Sequence, residues 1–453
     1  MSKKVALFLC LVMVFTVVFG CAAPTPAPAV ESAKPVEPAK EEPAAPAEVN
    51  EKPYEGVTLR ILSGNQPNVE KILYPNLQEF TDLTGIIVEM EIMGNDDYAN
   101  KVAIELAAQN KDLDLISLRP LTDFKQYLKN GWLADISEIR DDEEFDIDDY
   151  FPSALESATK DGKLYGVPIV AESQILYYRK DILAEKGLAV PTTLEELRQV
   201  AEAINDPKND FYGFFMRGKA NALVTQFSSV LYSFGGRFNT DTESLLNTEA
   251  FSNATAYFGD ILKNCAPPGA INMTWTEGCA LFAQGKLGMF MDSDAIFGNI
   301  SGDANAVITA DQIGFAVIPA GVDGVATPFY ATVNTWSVPA FTDKKAAALE
   351  FIKWAESKEM GVRFTKEVQS TGCRNSVWNN ADAMASFDPD MLAAMLESRG
   401  IAVSGDRPTV INVGEARDII SVPIQAAMMG KDYTKLLEEA HTKFQELIDK
   451  ENQ

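Results

Sequence analysis

The chain has 453 residues, 46% of them hydrophobic and 23% charged, and its formal net charge is −26. That composition fits a globular protein long enough for two ordinary domains. The acidic excess argues against a basic surface for nucleic acid or for anionic lipid, so neither kind of docking is expected.

Lys3-Lys4 precede the apolar run from Val5 to Phe19, and Gly20-Cys21-Ala22 follow it. This is the layout of a secretory signal peptide over residues 1–20, and the run is shorter than the roughly 20 residues a bilayer span needs. An uncleaved anchor helix is the alternative. Val18-Phe19-Gly20-Cys21 resembles the lipobox of bacterial lipoproteins, with Phe19 in place of the usual small or branched residue. The resemblance implies that Cys21 is lipidated, so the only membrane contact is an anchor. Residues 21–53 are then a disordered tether of Pro, Ala, Glu and Lys, with too little apolar surface to offset the entropy of ordering. The expected location is extracytoplasmic, a cell-membrane lipoprotein facing the periplasm or the outer cell surface.

Of the five cysteines, Cys265, Cys279 and Cys373 remain once Cys10 and Cys21 are accounted for. No C-x-x-C spacing occurs. A Cys265–Cys279 bridge and three buried thiols both fit the sequence.

Beyond the tether the pattern becomes α/β. Val57–Leu62 reads as a strand ending in the Ser63-Gly64-Asn65 turn, Pro75–Leu83 as a helix and Gly85–Ile92 as a second strand. Tyr98–Ala108 is an amphipathic helix, and Leu113–Leu118 a short buried strand. Strands and helices alternating at this spacing argue for a parallel sheet covered on both faces. Ligands on such sheets bind beyond the carboxyl ends of the strands, which points to Asn65, Asn95 and Arg119. Tyr165–Asp181 reads as a strand with a polar fault. Val170, Glu172, Gln174 and Leu176 share one face, and burying a carboxylate and an amide there needs partners. Arg217 ends a further apparent strand, beside Gly218. Later helices are expected over Leu194–Ile204, Ala222–Phe234, Phe251–Asn264, Cys279–Gln284, Lys344–Ser357, Gly361–Val368 and Tyr433–Lys450. Strands are expected over Leu287–Met291, Gly314–Ile318 and Thr332–Pro339. No short-period repeat is present.

Several segments in order resemble the bacterial extracellular solute-binding proteins that serve ABC importers. They include Thr84-Gly-Ile-Ile-Val, Asp97-Tyr-Ala-Asn-Lys101, Asn130-Gly-Trp-Leu-Ala-Asp135, Asp161-Gly-Lys-Leu-Tyr-Gly-Val-Pro168, Tyr178-Arg-Lys-Asp-Ile-Leu and Gly285-Lys-Leu-Gly-Met289. Met216-Arg-Gly-Lys219, Phe234-Gly-Gly-Arg-Phe238, Ala266-Pro-Pro-Gly-Ala270, Leu281–Asp292 and Arg407-Pro408 followed by Glu415 resemble the sorbitol/mannitol-type polyol branch. One departure stands out. Where that branch carries tryptophans, this chain has Tyr330, Thr332 and Asn334, with Trp336 two residues on.

The resemblance implies an α/β fold of two discontinuous lobes joined by crossing hinge strands. Lobe 1 would comprise residues 54–168 plus 292–340, and lobe 2 residues 169–291 plus 341–453. The chain would leave lobe 1 near Pro168, return near Met291 and leave again near Pro339. It also implies a monomeric, lipid-anchored receptor that captures a sugar or polyol between the lobes and delivers it to the ABC permease transmembrane subunits. The same fold binding a non-sugar solute, or a surface glycoside hydrolase, are the alternatives. Glu172 and Gln174 would face the cleft, where Arg217, and more weakly placed Arg119 and Arg374, offer a planar donor fork. Trp336 and Trp275 are the candidate ring platforms for sugar C–H faces, with Tyr330 and Trp378 behind them. Asp292, Asn334 and Asn65 are candidate hydroxyl partners. Trp132 and Trp354 read as structural.

No catalytic residue, metal site or cofactor is expected. The only histidine, His441, lies on the polar side of the last helix, so His-dependent nucleophile chemistry has no base. Metal-ligand spacing and a phosphate-cradling glycine loop are absent from the sequence.

Overall fold

In the computed structural model of the protein, Lys52 and residues 54–453 are described. The signal segment and Cys21, with nearly all of the tether, lie outside the described residues. Among the described residues no helix is long and apolar enough to cross a membrane.

Strands β1 (Thr58–Gly64), β2 (Ile87–Met93) and β3 (Leu115–Leu118) pair in parallel, β1 in the middle. The chain returns between β1 and β2 through α1 (Leu77–Thr84), which buries Phe80. Gly85 ends that helix at φ 81°, a left-handed cap that glycine adopts without strain. A Cβ there would also lie 2.8 Å from Glu55 Cα, which is why the Thr-Gly-Ile turn needs its glycine. α2 (Asn95–Ala107) and α3 (Pro120–Lys129) follow β2 and β3.

The long strand β4 (Val167–Arg179) carries the chain into the second lobe. α4 (Leu194–Ile204) starts with a reciprocal capping box between Thr193 and Glu196. β5 (Tyr212–Phe215), α5 (Leu223–Ser233), α6 (Glu249–Cys265), α7 (Trp275–Ala283) and β6 (Leu287–Ser293) complete most of lobe 2. β7 (Ile313–Val317) and β8 (Phe329–Ser337) come next, then α8 (Lys345–Ala355), α9 (Pro389–Ile401), the short strand β9 (Val403–Ser404), α10 (Val413–Met428) and α11 (Thr434–Glu451).

One sheet runs β2-β1-β3-β8-β4-β6-β5 through the molecule, with β9 beside β8 and β7 beside β4. The first half of β4 pairs with β8 (Trp336↔Val167 to Tyr330↔Ser173), and its second half with β6 (Gln174↔Ser293 to Tyr178↔Met289). The β4–β8 ribbon is therefore the bridge between lobes. Its register slips around Asn334, a local bulge where the ladder bends.

Two expectations on lobe boundaries are corrected here. The return is not near Met291, because β7 still pairs with the second half of β4 (Ile175↔Val317 to Arg179↔Ile313); β8 is the strand that recrosses. Nor does α8 belong to lobe 2. Its Phe351 meets Phe80 of α1 edge-on at 5.4 Å between ring centroids, so it rebuilds lobe 1. Helices α9 and α10 escape the sequence pattern. The apolar residues of α9 spread round its axis, and Pro423 sits inside α10. Cys265, Cys279 and Cys373 are free and buried, which settles the open choice in favour of thiols packed as small apolar groups.

Candidate ligand-binding site

Midway along β4, Val170 and Glu172 are half-buried while Ala171, Ser173 and Ile175 on the opposite face are buried. Strand alternation thus gives the bridge a closed back and an accessible front. On the front, Glu172 Oε2 accepts from Ser293 Oγ at 2.7 Å, and Oε1 has no hydrogen-bond partner among the described residues. Burial raises this carboxyl above its ordinary range, opposed by the serine hydroxyl and the Arg217 charge. Gln174 is fully buried. Its amide donates to Gln226 Oε1 on α5, while its own Oε1 is unpartnered among the described residues.

Arg217 leaves the end of β5 next to Gly218, where a Cβ would lie 2.3 Å from the Ala270 carbonyl oxygen. Only glycine allows that approach. The guanidinium makes a forked pair with Asp292, Nε to Oδ2 at 2.9 Å and Nη2 to Oδ1 at 2.5 Å. Asp292 is fully buried and is further held by Gln226 Nε2 at 2.9 Å and the Ser293 amide at 2.7 Å. Two more guanidiniums approach from the C-terminal part of the chain. Arg407 pairs with the buried Asp406. Burial works against ionising Asp406, but Arg407 and Arg417 carry its pKa down to about 2. Arg417 on α10 donates to the Asn221 carbonyl and to Thr225 Oγ1, both at 2.9 Å. With no carboxylate in hydrogen-bond contact among the described residues, burial and then Arg407 lower its pKa to about 10. Glu172 and Asp406 thus face Arg217 and Arg407, Arg417 adds its charge beside Asp406, and Asp292 pairs with Arg217.

The lobe 1 wall is sparser. Arg119 forks onto Asp123 at 3.2 Å through both Nε and Nη2. Burial raises the Asp123 carboxyl, and Arg119, joined by Arg407 from the other lobe, opposes this. The Ser117 carbonyl accepts from Tyr98 Oη at 2.8 Å and from Asn334 Nδ2 at 3.4 Å. Asn65 is exposed and its amide donates to Met93. Asn68, one turn on, is fully buried with both side-chain polar atoms unpartnered among the described residues. A groove of about 740 Å³ opens between α3 and residues 404–411, lined among others by Phe124, Tyr232 and Arg407. Lys125 bridges it, reaching the Thr409 carbonyl at 3.2 Å and Glu451 at 3.3 Å. Arg407 joins this groove to the charged cluster.

The structure therefore gathers Glu172, Gln174, Arg217 and Asp292 around one point, and sets Arg119 opposite through Arg407. Trp275 is half-buried at the start of α7, after a loop whose Met273 carbonyl accepts from the Gly218 and Lys219 amides. It lies one loop from Arg217. Trp336 and Arg374 are corrections, for both side chains are built into lobe 1. Trp336 is fully buried, edge-on to Phe351 at 5.6 Å, with Nε1 on Glu356 at 3.0 Å. Arg374 is buried over the rings of Tyr150 and Phe145 and donates to the carbonyls of Glu356, Asp146 and Phe145. Trp378 and Tyr330 are likewise buried, behind the bridge. Gln226, Thr225, Ser293, Asp406 and Arg417 are cluster members that sequence reasoning missed. A signal for the first two exists in the sequence: the α5 segment carries no charged residue, the mark of a helix buried all round, so its polar side chains need partners.

The family model for bacterial extracellular solute-binding proteins matches residues 64–362. The chain belongs to that family. It is 30% identical over 269 residues to a mannitol-binding protein of Pseudomonas aeruginosa, covering 58% of this chain and 60% of that one. It is 26% identical over 332 residues to an erythritol/L-threitol-binding protein of Mycolicibacterium smegmatis, covering 67% of each. Among solved structures, a solute-binding protein of Agrobacterium radiobacter in complex with ribitol is similar with a TM-score of 0.72 and 27% identity, over 87% of this chain and 99% of that one. This solute-binding protein thus shares its fold with a solute-binding protein crystallised in complex with ribitol.

Proposed function

We propose that this solute-binding protein captures a small neutral polyhydroxy compound, a sugar alcohol or sugar, at the Glu172–Arg217–Asp292 cluster and delivers it to an ABC permease. The observation that carries the reading is the balance of the cluster. Its carboxylates and guanidiniums compensate one another, so a neutral ligand disturbs no charge, while Glu172 Oε1 and the outer donors of Arg407 and Arg417 offer charge-assisted bonds to hydroxyls. The relatives named for mannitol and for erythritol and L-threitol, and the ribitol-bound structure, support the same class. In this reading the ligand is bound without turnover, by a monomer. Lipidation at Cys21 holds the receptor at the extracytoplasmic face of a membrane.

A calorimetric and thermal-shift panel of tetritols, pentitols, hexitols and hexoses tests the ligand class. A ligand at 100 times its dissociation constant stabilises by about 2.7 kcal/mol. Stabilisation by peptides or polyamines, with none by any polyol or sugar, would refute it. Mass spectrometry of the mature N-terminus, compared with a Cys21→Ala variant, tests the anchor.

A further inference from the structure

Glu172 stands on a strand that is fastened from behind. Arg399, on α9, is fully buried and sends Nη2 to the Ala171 carbonyl at 3.1 Å, to Asp294 Oδ2 at 2.7 Å and to Thr371 Oγ1 at 3.3 Å. The other oxygen of Asp294 accepts from the Ser173 amide at 3.1 Å. The ion pair therefore grips the carbonyl before Glu172 and the amide after it, so both peptide groups flanking that residue are tied to one buried pair. Its two sides come from different segments, Asp294 just after β6 and Arg399 from α9. The guanidinium also stacks over Trp378 at 4.4 Å, while its Nε and Nη1 have no partner among the described residues. Asp294 follows directly on Asp292 and Ser293, whose side chains hold Arg217 and Glu172 on the front face. One tripeptide thus ties the back of the bridge to its front.

We propose that Arg399 and Asp294 are positioning residues for ligand capture: a buried clamp that fixes the backbone on either side of Glu172 and so aims its carboxylate at the cleft, without touching ligand. The proposal rests on the reading of Glu172 as a ligand contact. Backbone held at two adjacent peptides leaves the side chain only its rotamers to search, which lowers the ordering entropy that binding would otherwise have to overcome. A merely structural pair would alter stability alone.

The test is a double-mutant cycle on the affinity for ribitol and D-mannitol, with amide exchange of the ligand-free protein alongside. Arg399→Met is expected to weaken binding at least tenfold with Glu172 present, and less than twofold in the Glu172→Gln background. Arg399→Lys, which keeps the charge and one donor, is expected to recover most of the loss. If Arg399→Met does not fold, Asp294→Asn keeps the shape of the acceptor, breaks the ion pair and is read through the same cycle. Equal losses in both backgrounds would overturn the proposal. Exchange of the Ser173 amide needs no ligand and is expected to quicken at least tenfold in either clamp variant; unchanged exchange would also overturn it. Should Glu172→Gln bind both polyols as wild type does while Ser173 exchange quickens, the ligand-contact reading fails and the clamp stands.

Discussion

Glu172 and Glu356 begin alike. Each is a glutamate whose carboxyl is raised by burial, and each accepts a hydrogen bond from one side-chain donor, Ser293 Oγ and Trp336 Nε1 respectively. They differ in what closes over them. Glu356 is sealed between Trp336 and the core of lobe 1, its pKa pushed up to about 8 by burial. Glu172 stays partly exposed on the bridge between the lobes, with one oxygen unpartnered among the described residues. Desolvation alone therefore does not mark a site; a desolvated acceptor left partly accessible and uncommitted does.

Variants at these two places can break the comparison. The largest effect is expected from Trp336→Ala, which should cost about 3–5 kcal/mol of stability through the cavity it leaves. Polyol affinity of the folded fraction should not change, and denaturant unfolding paired with calorimetry reads both. Next comes Glu356→Gln. A carboxyl that titrates near 8 when folded and near 4.3 when unfolded destabilises the fold progressively between those values, because only the unfolded chain ionises there. Stability should fall by up to about 1.4 kcal/mol per pH unit over that window from this group. Glu356→Gln should remove that slope and be the more stable protein at pH 8. Chemical denaturation at pH 5 and pH 8 tests this; parallel pH profiles would show that Glu356 is not held neutral.

Glu172→Gln is expected to weaken polyol binding by roughly 1.5–3 kcal/mol, the range for a hydrogen bond to a charged group, with little loss of stability. Unchanged affinity, with stability raised at pH 8 as expected for Glu356→Gln, would make Glu172 a second Glu356. The smallest effect belongs to Lys125→Ala, which removes the strut across the groove to Glu451. Such partly exposed pairs contribute under about 1 kcal/mol, so affinity should shift by less than fivefold.

Much of this contrast is legible in the sequence. Glu172 and Gln174 stood out because a period-two apolar strand has no internal use for them, and Arg217 because Gly218 follows it. The first three strands follow from local signals alone. Trp336 was misplaced because strand parity says which residues share a face but not whether that face meets a cleft or α8. Only the packing of Phe351 and Glu356 decides it. Arg374 failed similarly, its partners being carbonyls of residues 145, 146 and 356, which no side-chain pattern announces. The return crossing lies later than the sequence pattern suggests, because β7 reads as any short buried strand and only long-range pairing chooses its partner. Arg417 was hidden in α10, where Pro423 masks the helical period.

The most direct measurement is the structure of the protein crystallised with ribitol or D-mannitol. The polyol is expected between the lobes, with one hydroxyl on Glu172 Oε1 and others within hydrogen-bond reach of Arg407 or Arg417. A polyol stacked on Trp336, or held in lobe 1 away from Glu172, would contradict it.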